Sequence, residues 1–453
     1  MAALETPTVA AAPSRQLSGA AAVVLALGAL DFGLELSIIV PALPALTTYF
    51  DTTLAGATWL GSSFILAAAV AVPLCGRLGD LYGKRRMILV SLGLFAFGSL
   101  VCAVADSLGL AIAGRVIQGL GAAVVPLALG LVRDTVSHSG LPRVIGIVAG
   151  AGAIGAALGF LLSGVLVDTF SAAAIFWFLA AAAIVLGLAV AVVAPESPVR
   201  ARVPLDLSGT ALLGLGLASF LIAISQGQPH GWASSRVLLP LAVSAVALAL
   251  FWTTESRRAA PLVDLALLRE RPFVNVDVCS FVFGFAVYSG AFLVPQLAQR
   301  LDLSVTAIGL LLVPTALAGM LAGWVGGRVV DRVGPRAQVT VGVLIAAIGF
   351  LSLTVAHDTT YALGFGSALI GVSWGLVPTG YLPVVLRAAA VDKSSIAVSV
   401  VLVLRNIGLS FGITVAAAIA VGTGYTQALV FGAVSCAAVA VVAAWLPGRV
   451  EAR

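Results

Sequence analysis

Apolar runs about twenty residues long follow one another from residue 19 to residue 446, and no other feature of the sequence restricts the fold so strongly. At a rise of about 1.5 Å per residue, each run can cross a bilayer as a helix, and little chain is left for a soluble domain. The runs are too long and unbroken for the short alternating strands of a membrane barrel. Composition agrees: only 9 % of residues are charged and the mean hydropathy is +1.14, against about 25 % charged residues in soluble domains. The expected fold class is an all-α polytopic membrane protein. Breaks rich in charge, Pro, Gly or Ser divide the chain into fourteen spans. They lie at 19–43, 57–76, 87–105, 109–131, 144–167, 172–194, 207–226, 236–253, 273–298, 304–327, 338–356, 360–385, 394–420 and 425–446.

Loop charge tests that count, because Lys and Arg collect on the cytoplasmic side. Putting both tails and the loops after even-numbered spans on one side gathers 20 of the 24 basic residues there. The other side receives Arg236 and Arg300, while Arg115 and Arg405 fall inside spans. Both termini are therefore expected in the cytoplasm, on a disordered tail at 1–18 and a short tail at 447–453. No small-residue cleavage site follows a short apolar run, so no removable signal peptide is expected. The net charge of +5 is dispersed among short loops, which argues against a nucleic-acid partner and for membrane lipids as the basic loops' neighbours.

One loop pattern occurs twice. GRLGDLYGKRR at 76–86 and GGRVVDRVGPR at 326–336 both read Gly, three residues, Asp, two residues, Gly, then a basic residue. Gly76, Asp80, Gly83 and Lys84 correspond to Gly327, Asp331, Gly334 and Arg336 at same-side junctions. Glycines permit a tight turn between closely packed helix ends, and the Asp suits a basic partner or a helix N-terminus. This repeat implies two related six-helix bundles, at 19–194 and 273–446. Residues 195–272 form a linker carrying two additional spans, and its segment 254–272 has an amphipathic core suited to the interface. A repeated bundle around a central cavity is the architecture of a secondary transporter that exposes one site alternately to either side.

Charges inside the spans are the candidate working parts, since they are costly in hydrocarbon and must face a partner or a wet cavity. Asp31 and Glu35 lie one turn apart in LDFGLELSIIVPALP at 30–44. Charge arithmetic favours pairing of Arg115 in span 4 with one of them, leaving the other free to titrate. Glu35, Asp31 and Arg115 are thus the proton-coupling candidates, with the proton as coupling ion. Gln118, Asp277, Trp374, Tyr381, Arg405 and Asn406 are candidates for the substrate cavity. Span 5, GIVAGAGAIGAALGFLLSG, carries Gly155 and Gly159 at a spacing that lets helices approach closely, either as a rocking interface or as plain packing. With the loop residues Gly76, Asp80, Gly83, Lys84, Arg85, Asp331 and Arg336, they are the conformational-switching candidates. Gly290, Pro295, Pro314, Pro378 and Pro383 are expected to break spans 9, 10 and 12. The four cysteines read as buried apolar residues, and the three histidines fall in or beside loops without a ligand motif.

These residues carry a resemblance to the major facilitator superfamily, in its fourteen-span drug/proton antiporter branch. GRLGDLYGKRR is similar to the family's loop 2–3 signature and RVIQGLGAA at 115–123 to its span 4 signature. PLVDLALLRERPF at 261–273 and LRNIGLSFG at 404–412 are similar to its segments leading into span 9 and in span 13. The span 1 signature has an acid nine residues before the Pro of Ala-Leu-Pro. Counting back from Pro44 gives Glu35, so Asp31 is an addition one turn earlier. The pattern departs at span 5, where Phe160 rather than Pro follows Gly159, and before span 6, where FSAAAIFWF stands.

The resemblance implies a major facilitator fold with two inserted central helices in a bacterial inner membrane. It implies proton-driven export, with no covalent cofactor, of small amphipathic, often cationic, drugs or antibiotics by a chain functional as a monomer. An alternative is a carrier for a metabolite, amino acid or lipid with altered coupling. A membrane sensor or scaffold without transport is more distant, and an enzyme is not expected.

Overall fold

The computed structural model describes residues 19–135, 141–197, 206–258, 270–388 and 394–448. Tail 1–18, most of the amphipathic segment at 254–272 and residues 449–453 lie outside the described residues. The described residues hold fifteen α-helices: α1 Gly19–Tyr49, α2 Leu54–Tyr82, α3 Lys84–Ala103, α4 Leu108–Leu120, α5 Val124–Thr135, α6 Leu141–Thr169, α7 Ala174–Val193, α8 Leu207–His230, α9 Ser235–Glu255, α10 Arg271–Gln299, α11 Val305–Val333, α12 Pro335–Val355, α13 Thr360–Ala388, α14 Ser394–Gly422 and α15 Tyr425–Ala443. Among the described residues, twelve stretches are long and apolar enough to cross a membrane, thirteen with the bent α2. The apolar stretch Ile154–Thr169 of α6 is shorter. The chain is a multi-pass membrane protein.

Local chemistry sets several helix starts. Thr53, Asp206 and Ser304 stand before α2, α8 and α11, and their side-chain oxygens accept from the N–H of Gly56, Gly209 and Ala307. Each satisfies a donor that a helix start otherwise leaves open.

The expected breaks at prolines do not occur. Pro295, Pro314, Pro378 and Pro383 lie inside continuous helices, α10, α11 and α13. Neighbouring helices and local hydroxyls can satisfy a carbonyl freed by Pro in a packed bundle, so the ring alone does not unwind the span. Interruption comes elsewhere. The span expected at 109–131 is split into α4 and α5 by a turn at 121–123, where Gly121 sits so tightly on α3 that a Cβ there would stand 2.4 Å from the Ser91 carbonyl oxygen. Helix α2 bends by 44° between Gly56–Val72 and Leu74–Tyr82.

Packing repeats between the halves of the chain. In the first, α1 packs on α6, α3 on α7, and α4 on both α2 and α3. In the second, α10 packs on α14, α12 on α15, and α13 on both α11 and α12. The halves meet chiefly through α6 with α11 and α2 with α14, and more lightly through α1 with α10 and α11. Helices α8 and α9 pack on each other, and α8 rests against α2 and α14. Lipid gives no hydrophobic drive between spans, so close van der Waals approach matters most. Gly155 and Gly159 supply it for α1 and α6: a Cβ would stand 1.9 Å from the Leu30 carbonyl oxygen at Gly155 and 2.0 Å from Ser37 Oγ at Gly159.

The repeated loops share their geometry, at an offset of 251 residues. Gly83 (φ 106°) and Gly334 (φ 88°) turn the chain between α2 and α3 and between α11 and α12. Their N–H groups donate back to the carbonyls of Gly79 and Val330. Gly76 has a different status. A Cβ there would meet nothing within 4 Å, whereas one at Gly79 would stand 2.5 Å from Leu127 Cδ2. The tight approach in this loop belongs to Gly79, so the expected packing role of Gly76 is corrected.

Candidate functional site

Three features lie between and beneath the two halves: a buried ion pair, a large cavity and the contacts that close one end of it. The ion pair begins with Arg115 on α4. Its Nη1 lies 3.0 Å from Glu35 Oε1 on α1, and the two side chains are 2 % and 1 % exposed. The guanidinium is held on its other sides. Arg115 Nε donates to the Leu60 carbonyl at 2.6 Å, Nη1 also donates to Gln118 Oε1 at 2.6 Å, and the Phe64 ring centroid lies 4.5 Å from Cζ. Gln118 Nε2 donates in turn to Ser99 Oγ, which donates to the Phe95 carbonyl. The pair is therefore fixed by α2, α3 and α4 together, while Glu35 Oε2 has no hydrogen-bond partner among the described residues. Asp31, one turn earlier, is half-buried and joins no ion pair among them.

The cavity has a volume of about 1050 Å³ and is walled by α1, α6, α10, α11, α13 and α14. On α1, Phe32, Leu36, Ser37 and Val40 face it; Asp31 and Glu35 do not. Glu35 is instead directed toward α4 within the first half. Trp374 and Arg405 line the cavity as expected, and Tyr288 packs on Trp374 with ring centroids 5.1 Å apart. Gln118, Asp277, Tyr381 and Asn406 are not among the wall residues, which corrects four expected cavity positions. Gln118 is spent on Arg115 and Ser99, Tyr381 is fully buried, and Asn406 is half-buried beside Arg405. Asp277 is 4 % exposed on α10, its Oδ1 without a hydrogen-bond partner among the described residues. The described wall carries two cations, Arg328 and Arg405, and no carboxylate.

A second void of about 30 Å³ lies between this cavity and the ion pair, enough for about one water. Arg115 and Phe64 line it, and it shares Leu36, Val40, Tyr288 and Ala291 with the cavity wall. The Glu35–Arg115 pair thus stands one small void away from the cavity.

At the end away from the Gly-Asp-Gly loops, α6 and α11 close on each other. Asp168 Oδ2 accepts from the Thr306 N–H at 2.8 Å and Oδ1 from the Val305 N–H at 3.3 Å, at the positive N-terminus of α11. Gly164 and Gly309 bring the two backbones together there. Nearby, Ser62 on α2 and Ser410 on α14 each donate a hydroxyl to the other's carbonyl. At the loop end the cavity wall reaches Gly327 and Arg328.

The loop residues tie each half together. Lys84 Nζ lies 2.9 Å from Asp80 Oδ1. Arg85 donates its guanidinium to the Ala191 carbonyl near the end of α7, and its N–H to Glu196 Oε1 at 3.1 Å. Arg336 does the same in the second half, through Nε to the Leu446 carbonyl at 2.8 Å and its N–H to the Pro447 carbonyl at 3.4 Å. Asp331 stands at the matching place on α11.

Sequence reading missed Asp168, Glu196, Tyr288, Trp324 and Arg328. A signal existed for the last two: Gly319, Gly323 and Gly327 at intervals of four mark a small-residue stripe, and Trp324 and Arg328 are one turn apart beside it. Their side chains meet, with Arg328 Cζ 3.7 Å from the Trp324 ring centroid.

The sequence profile of the Major Facilitator Superfamily matches residues 25–413. The chain belongs to this superfamily. As a Major Facilitator Superfamily member it is a carrier and not an enzyme. It is 31 % identical to the multidrug resistance protein Stp of Mycobacterium tuberculosis (strain CDC 1551 / Oshkosh) over 394 residues, 86 % of this chain and 73 % of Stp. It is 29 % identical to the tetracenomycin C resistance and export protein of Streptomyces glaucescens over 399 residues, 86 % of this chain and 74 % of that protein. Its fold is similar to that of the human organic anion transporter MFSD10 (TETRAN), with a TM-score of 0.63 at 18 % identity, covering 95 % of this chain and all of the other. No group of three or more His, Cys, Asp or Glu that could hold a metal ion occurs among the described residues.

Proposed function

We propose that this chain is a proton-coupled exporter that moves a small amphipathic compound across the cytoplasmic membrane by alternating access. Two six-helix bundles rock about the α6–α11 and α2–α14 contacts, with α8 and α9 inserted between them and both termini in the cytoplasm. A single chain suffices as the working unit, because the cavity is walled within one copy. The α6–α11 closure at one end, and a cavity wall that reaches Gly327 and Arg328 at the other, support entry of cytoplasmic cargo from the side of the basic loops. Drug and antibiotic export is supported by the relatives, which are named for multidrug resistance and for tetracenomycin C export.

The observation that carries the coupling is the Glu35–Arg115 pair, buried yet one water-sized void from the cargo cavity. A proton on Glu35 cancels the charge that balances Arg115, so α1 and α4 hold each other less strongly when it is bound. Asp31, nearer the cytoplasmic end, is suited to pass protons to or from Glu35. The loop ties of Arg85 and Arg336 keep each bundle rigid while the two move. The replacement of Pro by Phe160 leaves this scheme intact, since the α6–α11 contact is made by the Phe160 carbonyl against Gly309.

The reading is tested by reconstituting the purified protein in liposomes and imposing a pH gradient, with cargo chosen by a thermal-shift screen. Gradient-driven accumulation that collapses with a protonophore supports it; cargo movement indifferent to the gradient overturns it.

A further inference from the structure

The cavity wall is chemically lopsided. Most of it is apolar and aromatic, yet Arg405 and Arg328 face the space, and among the described residues neither has a carboxylate partner. Arg328, at the loop end, lies flat on Trp324 and donates to that residue's carbonyl at 3.1 Å. Arg405 lies deeper on α14, and its Nε has no hydrogen-bond partner among the described residues. The nearest candidate counter-ion on the neighbouring helix is Asp277. It is seven residues before Gly284, the residue that packs on the Arg405 carbonyl, and it makes no ion pair with Arg405. Arg115 shows the contrast: it is equally an intramembrane cation, but Glu35 neutralises it.

A guanidinium at this depth is costly without an anion, and its planar fork matches a carboxylate, sulfonate or phosphate. An incoming anion supplies the missing charge, and the Trp374–Tyr288 pair offers a stacking surface beside it. A cation entering the same space meets two positive charges and, among the described wall residues, no carboxylate to balance its own. We infer that the cargo is an amphipathic aromatic anion, with its acidic group at Arg405 and its ring against Trp374. This rests on the reading of the cavity as the cargo site, and it replaces the cationic cargo that family resemblance implies. The volume of about 1050 Å³ suits a drug-sized solute of several fused rings. Arg328 at the mouth attracts the anion on entry, so the inward path and the deep site carry the same sign.

The test uses three probes with one ring system: 9-anthracenecarboxylate, 9-anthracenemethanol and 9-anthracenemethylammonium. Binding to the purified full chain is read by quenching of tryptophan fluorescence, with Trp374 and Trp324 on the wall as reporters. The carboxylate is expected to bind at least tenfold more tightly than the ammonium. Arg405→Gln should remove that preference, and Arg405→Lys should keep part of it. Equal or tighter binding of the ammonium overturns the inference, as does an unchanged carboxylate affinity in an Arg405→Gln protein that unfolds at the wild-type temperature. If a fluorescent phosphatidylglycerol, present at equal concentration, displaces the carboxylate in an Arg405-dependent way, the anion is a lipid headgroup and the small-molecule assignment fails. Transport separates this inference from the coupling. Uphill movement of the ammonium alone sinks the anion site and leaves proton-driven export standing. Arg405-dependent carboxylate binding with transport blind to a pH gradient sinks the coupling and leaves the anion site standing.

Discussion

Glu35 Oε1 and Arg115 Nη1 stand 3.0 Å apart with almost no solvent exposure on either side chain. Removing one member of a buried pair strands the other's charge, which costs about 3–5 kcal/mol, whereas replacing both with apolar groups is often near neutral. Arg115→Met alone should therefore lower the thermal unfolding midpoint strongly, and the double variant Glu35→Met/Arg115→Met should recover most of the loss. Additive losses in the double variant would show that the two residues do not act as a pair.

The two glycines that bracket the first repeated loop should behave oppositely. Gly83 has φ 106°, and a Cβ there would meet Glu196 Oε1 at 2.6 Å, so Gly83→Ala should cost about 1–3 kcal/mol. Gly76 lies within a helix with open space around it. Gly76→Ala should be neutral or stabilising by about 0.5–1 kcal/mol. Thermal unfolding in detergent reads both, and a larger loss at Gly76 than at Gly83 contradicts the assignment.

Asp168 caps α11 from α6, across the two halves of the chain. Asp168→Ala removes an acceptor worth about 0.5–2 kcal/mol, which should raise the population opened at that end several-fold. Spin labels at Phe170 and Asp302, both exposed, should show a longer-distance component in the variant. An unchanged distance distribution contradicts the latch.

Asp206, just before α8, is pulled in opposite directions. Burial raises its carboxyl, but a hydrogen bond shared with the Glu255 carboxyl, those donated by the Gly209 N–H and Ser208, and the charge of Arg258 outweigh it and hold the group below its usual value. A depressed carboxyl gives stability that is present above the unfolded value of about 3.9 and lost as pH falls through the lower folded value. The α8–α9 hairpin should therefore loosen below about pH 4, and Asp206→Asn should flatten that dependence. Hydrogen exchange in α8 against pH measures it; identical acid sensitivity in the variant contradicts it.

Much of this was legible in the sequence because it is local. Apolar run length marks most of the spans, and the glycine-acid-glycine spacing anticipates the turns at Gly83 and Gly334. Charge arithmetic paired Arg115 with a span 1 acid, and register from Pro44 distinguished Glu35 from Asp31. Facing was not legible. Residues 35 and 36 differ by 100° around a helix, yet only the packing of α4 against α2 and α3 decides that the acid turns inward and Leu36 toward the cavity. Proline position also misled, because a packed bundle carries α10, α11 and α13 through their prolines while Gly121 breaks the α4–α5 span by close contact. Asp168 and Glu196 looked like ordinary loop-end acids, since their partners, Thr306 and Arg85, are more than 100 residues away.

The central claim is that Glu35 carries the coupling proton, and Glu35→Gln tests it most directly. Gln keeps an acceptor oxygen toward Arg115 but cannot exchange a proton. In liposomes, the variant should still equilibrate cargo down its own gradient while losing accumulation driven by an imposed pH gradient. Uphill transport at the wild-type rate by a folded Glu35→Gln protein would contradict the account.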